Sequence, residues 1–255
     1  MENQSTIFDF QAEVGLTKQI GGRKATDELI ELCHIGQDNY VLDVGCGVGV
    51  TPCYLAKRHG CRVVGVDIRN RMIDRSNERA KREEVEHRLE FRVADAQNLP
   101  FEDDLFDAVI CESVLATVPD KPKAMHECVR VIKPGGYVGL NESTWIKTPP
   151  PVEVVEWVGQ DLSGNAQLLS ADGWVGLLEN AGLRDIVVRT YEISAQNEAV
   201  NTIKRYGLRD MLRVWARSLS IYIRNPASRV IIKGAGAAPK SLFEYFGYGI
   251  YVGRK

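Results

Sequence analysis

A glycine turn and two carboxylates, Asp67 and Asp95, stand at the ends of three apolar runs, and each could meet a different part of a ligand. Asp43 lies in Val41–Val44, which runs straight into Gly45-Cys46-Gly47-Val48-Gly49. Glycines in such a turn let the backbone bend tightly and approach a ligand, because no Cβ stands in the way. Asp67 follows about twenty residues after Gly45, a spacing at which an acid accepts hydrogen bonds from ribose hydroxyls. Asp95 can accept from an exocyclic amine, and Ala96 beside it leaves room for a flat ring. Each feature alone has a plainer reading: a tight strand-to-helix connection, a helix cap, a turn aspartate. Their succession at three strand ends points to a nucleoside-bearing ligand.

Proton chemistry has two candidates. Glu112 directly follows the apolar run Phe106–Cys111, and Glu142 ends Tyr137–Glu142. Either could serve as a general base where a nucleophile must lose a proton. The alternatives are a ligand contact for Glu112 and a structural hydrogen bond for Glu142. The four histidines form no metal-ligand spacing, so no metal is expected. The six cysteines form no C-x-x-C pair and read as buried free thiols of a reducing, cytoplasmic compartment. A formal net charge of −2 gives no electrostatic footprint for nucleic acid. No run reaches the length of a membrane span.

The elements that must position these residues alternate. Strands are expected at Val41–Val44, Arg62–Asp67, Leu89–Val93, Phe106–Cys111 and Tyr137–Glu142. Helices are expected at Thr26–Cys33, Pro52–His59, Arg69–Glu86 and Pro122–Arg130, with Thr51 as cap and Pro52 as first residue of the second. Lys133–Gly136 reads as a turn. This alternation means a parallel sheet covered by helices on both faces, with ligands at the carboxyl ends of its strands. Farther on, short helices are expected at Val152–Val158 and Trp174–Asn180, and strands at Ile186–Ile193 and Phe243–Val252.

On the stretches Val41–Gly49, Val63–Asp67, Ala94–Phe101, Phe106–Val114 and Arg130–Gly136, the sequence resembles the class I S-adenosylmethionine-dependent methyltransferases. The resemblance is to their small-molecule branch, which includes the ubiquinone/menaquinone and sterol methyltransferases. It implies an α/β fold: a Rossmann-like, doubly wound, seven-stranded sheet with the last strand antiparallel. It implies S-adenosylmethionine as cofactor, with Gly45 and Gly47 at its methionine part and Asp43 organising the loop. Asp67 would bind the ribose, Ile68 would lie against the adenine face, and Asp95 with Ala96 would meet the adenine edge. Cys111 would lie near the methionine moiety. A nicotinamide dinucleotide is the rival, but the third glycine comes one residue early for G-x-G-x-x-G.

Methyl transfer from a sulfonium needs alignment and exclusion of water more than covalent help. Residues 1–22 read as an N-terminal helical lid and 198–240 as an inserted helical cap, a hairpin of apolar and basic residues. The methyltransferase domain is then 23–197 with 241–255. Aromatics outside the motifs, among them Trp145, Trp157, Trp215 and Tyr206, suggest a small apolar or aromatic methyl acceptor. The same insertion would suit a homodimer. A non-catalytic S-adenosylmethionine-binding protein, or an assembly partner, is the other class of function.

Overall fold

The computed structural model describes residues 7–17, 19–161, 166–193, 195–224, 239 and 241–255. Its strands are β1 Tyr40–Val44, β2 Arg62–Asp67, β3 Leu89–Val93, β4 Phe106–Glu112, β5 Ile132–Trp145, β6 Leu169–Ser170, β7 Arg184–Glu192 and β8 Phe246–Arg254. They form one sheet in the order β3-β2-β1-β4-β5-β8-β7, with the two-residue β6 beside the end of β5. β8 runs antiparallel to both β5 and β7, and the other pairings are parallel. The expected doubly wound sheet with an antiparallel last strand is therefore present, and β6 makes it eight strands in place of seven. The chain leaves β1 towards β2 and later returns on its other side as β4. That reversal opens a crevice beyond the carboxyl ends of β1 and β4, where open α/β sheets bind ligands.

The helices are α1 Ile7–Val14, α2 Gly22–Leu32, α3 Val50–Tyr54, α4 Asn70–Arg82, α5 Lys121–Val131, α6 Val152–Asp161, α7 Ala171–Asn180, α8 Ala195–Arg224 and α9 Leu242–Tyr245. On one face of the sheet, α5 and α7 seal a core of Leu42, Val109, Met125, Leu140, Trp174 and Tyr251. On the other, Ala25, Leu29 and Cys33 of α2 cover Val41, Val63, Ile110 and Ile250. The central strands are apolar on both sides because both sides are covered.

Several expected boundaries moved. Helix α3 starts at Val50, because Gly49 caps it in the left-handed conformation, φ 74°. Thr51 is thus inside the helix and no cap, and Leu55–His59 continues as a π-helical turn. The expected turn Lys133–Gly136 is looped out within β5: Phe106 pairs with Ile132, and Ala108 pairs with Tyr137. Residues 242–245 are helical, and β8 begins only at Phe246.

The expected lid and cap pack together. Ala12 of α1, Val48 of the glycine loop, Met72 of α4 and Tyr206 of α8 share a small core. The Thr17 N–H donates to the Tyr206 hydroxyl at 2.8 Å, joining segments 189 residues apart. Helix α8 consists of two helical limbs joined at Gly207, whose φ of 75° and ψ of 163° are not helical. The second limb of the expected hairpin falls largely on 225–238, outside the described residues. Among the described residues, no helix is long and apolar enough to cross a membrane.

Candidate active site

The glycine loop sits at the mouth of the crevice. Gly45, Gly47 and Gly49 all have positive φ, which an L side chain rarely adopts. A Cβ on Gly45 would lie 2.2 Å from Cγ2 of Val114, and one on Gly47 would lie 2.7 Å from Cγ2 of Thr17. The close approach that the glycines permit is thus made by the turn after β4 and by the N-terminal segment.

Asp67 ends β2 and holds the loop from below. Its carboxylate accepts from the Gly47 N–H at 3.1 Å and the Arg69 N–H at 2.9 Å. One further acceptor site remains on each oxygen. Burial raises its carboxyl above the usual range, against the pull of those amides. Ile68 follows it with 60% of its surface exposed, a bare apolar side chain at a strand end. Asp95 closes its own turn: Oδ1 accepts from the Gln97 N–H at 2.9 Å, and the Gln97 amide donates to both oxygens. Ala96 is buried beside it.

Asp43 is buried in β1. Its carboxyl is pushed well above the usual range by burial and by neighbouring Glu112 and Asp67, and Arg205 opposes the shift. Glu112, at the end of β4, is gripped from three elements. Oε1 accepts from Thr51 Oγ1 of α3 at 2.7 Å, and Oε2 from Thr26 Oγ1 of α2 at 2.9 Å. Asn141 Nδ2 of β5 donates to Oε2 at 3.5 Å. Gln19 extends this network by donating to Thr26 at 2.9 Å. Arg205 of α8 completes it by donating from Nη2 to Thr51 Oγ1 at 3.1 Å.

Several enclosed polar atoms in and beside this network have no hydrogen-bond partner among the described residues: Arg205 Nε and Nη1, Asn141 Oδ1, Gln19 Oε1 and Ser113 Oγ. Ser113 also has φ 61°, a costly conformation for serine that functional sites often retain. Unmet buried donors and acceptors call for an occupant, because leaving them unpaired costs ~1–3 kcal/mol apiece. A guanidinium with two open N–H groups matches a carboxylate, and the open oxygens match an ammonium group.

Two expected site residues have different surroundings. Glu142 is fully buried, and its carboxylate accepts from the N–H groups of Val114, Leu115 and Ala116 at 2.8, 2.7 and 3.3 Å. It holds the one-turn helix Leu115–Thr117 at the end of β4, so it is a structural acceptor and its oxygens are spoken for. Cys111 lies inside β4, fully buried, with its thiol against Cys128 of α5. Its side chain faces the core, which leaves only its backbone to reach a ligand on the loop.

Sequence reasoning missed Thr26, Asn141 and Arg205, and it gave Thr51 a different task. None carries a local signal. Arg205 reads as one basic residue among many in the insertion. Of the aromatics named for the acceptor, Trp145 and Trp157 pack with α6, α9 and the start of β8, Trp215 is exposed, and Tyr206 packs against Val48 of the glycine loop.

A mostly parallel sheet with this strand order and a glycine loop at its reversal define a Rossmann-like fold. The family described as "Methyltransferase domain" matches residues 42–140. An uncharacterised protein of Haemophilus influenzae is 33% identical over 189 residues, 73% of this chain and 75% of that protein. Methyltransferase GfsG of Streptomyces halstedii is 32% identical over 163 residues, 64% of this chain. The chain spans 59% of the length of GfsG. In fold, phosphoethanolamine N-methyltransferase 2 of Haemonchus contortus, solved with S-adenosyl-L-methionine, matches with a TM-score of 0.73 at 19% identity, over 100% of this chain and 58% of that one. The [4+2]-cyclase SpnF matches with 0.71 at 22% identity, over 91% and 80%. The chain belongs to the class I S-adenosylmethionine-dependent methyltransferases.

Proposed function

We propose that the protein transfers a methyl group from S-adenosylmethionine to a small acceptor in a direct in-line displacement. The bound cofactor supplies an activated methyl on a sulfonium. Asp67 binds the ribose, Ile68 covers one adenine face, and Asp95 with Ala96 meets the adenine edge. The backbone at Gly45 and Gly47, with the backbone of Cys111, receives the amino-acid end. Arg205 pairs its open Nε and Nη1 with the carboxylate of that end. The observation that carries this reading is the enclosed guanidinium of Arg205, lodged against Thr51 beside the glycine loop with two donors to spare.

The acceptor is read differently from the sequence expectation. The side chains around Glu112 are amides, hydroxyls and charges, so an acceptor with hydrogen-bonding groups suits them better than a purely aromatic one. Glu112 orients the acceptor and takes a proton where the nucleophile carries one. To do so it must exchange the Thr26 or Thr51 hydroxyl for the acceptor, a charge-assisted bond for a charge-assisted bond. Residues 7–17 and α8 form the roof that excludes water.

The test has two parts. Calorimetry with S-adenosylhomocysteine should give micromolar binding, on the order of −8 kcal/mol. Methyl-tritiated S-adenosylmethionine, incubated with the protein and fractionated metabolites, should then pass label to an extractable product. Absence of S-adenosylhomocysteine binding refutes the reading of the site. Binding without label transfer to any fraction supports the second class, a non-catalytic S-adenosylmethionine-binding protein.

A further inference from the structure

Five arginines converge between α4 and α8, and they are short of acids. Arg75, Arg79 and Arg82 of α4 and Arg213 and Arg217 of α8 line one cleft, together with Val14 and Gly15 of the N-terminal segment and Val48 of the glycine loop. None of the side chains placed at the cofactor or around Glu112 lines it. Two carboxylates share the cleft, Glu78 and Asp210. Asp210 serves three arginines at once, at 3.1 Å from Arg79, 3.2 Å from Arg82 and 2.9 Å from Arg213. Arg79 also meets Glu83 at 3.1 Å, and Arg75 meets Glu78 at 2.9 Å. Five guanidinium groups thus share three carboxylates.

Arg217 is the one left over. Among the described residues it has no carboxylate within ion-pair distance, and its guanidinium makes a single 3.5 Å contact to the Val14 carbonyl. Gly15 presses against it: φ there is 79°, and a Cβ would lie 2.7 Å from Arg217 Nη1. Burial, then Arg75, Arg82 and Arg213, lower its affinity for its proton, and Glu78 opposes them. An enclosed cation among like charges is costly until a counter-charge joins it. Its neighbours have donors to offer, since each guanidinium carries five N–H groups. Among the described residues, Arg82 and Arg213 each spend one of theirs on Asp210.

We propose that this cleft binds a small phosphate-class oxyanion, which balances the arginines and clamps α8 to α4 and to the N-terminal segment. A phosphate group offers at least three acceptor oxygens and suits several planar guanidinium forks at once; a carboxylate offers two. The arginines around the anion already hold the neighbouring backbone. Arg75 donates to the Ala12 and Glu13 carbonyls, both at 3.2 Å, and Arg79 donates to the Val48 carbonyl at 2.9 Å. The proposal does not rest on the methyl-transfer reading, since the site needs neither cofactor nor acceptor.

Calorimetric titration of the full chain with sodium phosphate tests it, with ionic strength held constant by chloride. One phosphate should bind per chain and should raise the urea midpoint. Arg217→Gln should weaken phosphate about tenfold or more, as loss of a charged hydrogen bond would. Arg213→Gln, at the exposed rim, should weaken it severalfold. Arg209→Gln, an exposed arginine of α8 outside the cleft, should leave it unchanged. Without phosphate, Arg217→Gln should unfold at no lower urea than wild type, because it removes an unmatched charge. Phosphate should still bind when S-adenosylhomocysteine is saturating; competition between the two would put the anion at Arg205 and overturn the proposal. No phosphate binding, an equal heat from chloride, or full affinity in both cleft variants would overturn it as well. Glycerol phosphate binding as tightly as phosphate would mark the ligand as a phosphate ester, and its rejection would mark the free ion.

Discussion

Glu142 is the most informative place to perturb the site without touching ligand. Its carboxyl sits fully enclosed beneath the turn after β4, and burial pushes it up to about 7. Three backbone N–H groups pull the other way by favouring the charged form. In the unfolded chain a glutamate titrates near ~4.3. Between these two values the folded protein holds a proton that the unfolded chain has released. Stability therefore falls as pH rises through that window, since its slope follows the protons bound by the unfolded state minus those bound by the folded one. The contribution is fully present below about 4.3 and lost above about 7. A gap of nearly three units corresponds to an upper bound of about 3–4 kcal/mol. Glu142→Gln removes the titration while keeping an oxygen acceptor for Val114 and Leu115. Urea unfolding of both proteins, from about pH 5 to about pH 8, should show wild type losing stability relative to the variant as pH rises. A pH-independent difference would refute the reasoning and mean that the three amides hold Glu142 ionised throughout.

Three further outcomes are expected. Arg205→Gln should weaken S-adenosylhomocysteine about ten- to a hundredfold, as lost charged hydrogen bonds would. It should leave 5′-methylthioadenosine, which lacks the amino-acid end, unchanged; equal losses for both ligands in calorimetry would remove Arg205 from that role. Asp67→Ala should weaken cofactor binding by at most a few kcal/mol. Because Asp67 also holds the Gly47 and Arg69 amides, it should lower the unfolding midpoint as well, whereas an unchanged dissociation constant would take Asp67 out of the site. Hydrogen exchange across 7–17 and 200–222 should slow when S-adenosylhomocysteine binds, as expected of a roof closed by its ligand. Protection that tracks protein concentration and ignores ligand would instead mark these segments as an interface.

The sheet was legible because its signals are local. Val41–Val44 and Arg62–Val66 are continuous apolar or near-apolar runs, and glycine or aspartate punctuates each end. Strand ends place Asp43, Asp67 and Asp95 without knowledge of any contact. The partners of Glu112 were illegible for the opposite reason. Thr26, Thr51, Asn141 and Arg205 come from four elements, and Arg205 and Thr51 are 154 residues apart. Thr51 looked like a cap because serine, threonine and proline mark helix starts, but Gly49 already caps α3 by its left-handed backbone. Glu142 looked available because it ends the matched core of its strand. Its occupation by three amides depends on how the chain turns after β4, which no spacing in the sequence encodes.

The six thiols are all free and buried, and they are spread through different layers. Cys46 lies in the glycine loop and is 8% exposed, whereas Cys61, Cys111 and Cys128 are wholly enclosed. Burial raises the pKa of Cys46, and contact with the Cys128 thiol together with burial raises that of Cys111, well above the usual thiol range, so neither is a thiolate at rest. An alkylating reagent therefore reads time, since each sulfur is modified only after its own layer has parted. Cys46 would record loosening of the loop, and the pair between β4 and α5 would record separation of the sheet from its helices. The chain carries, in side chains with no task in the chemistry, a chronicle of the order in which it comes apart.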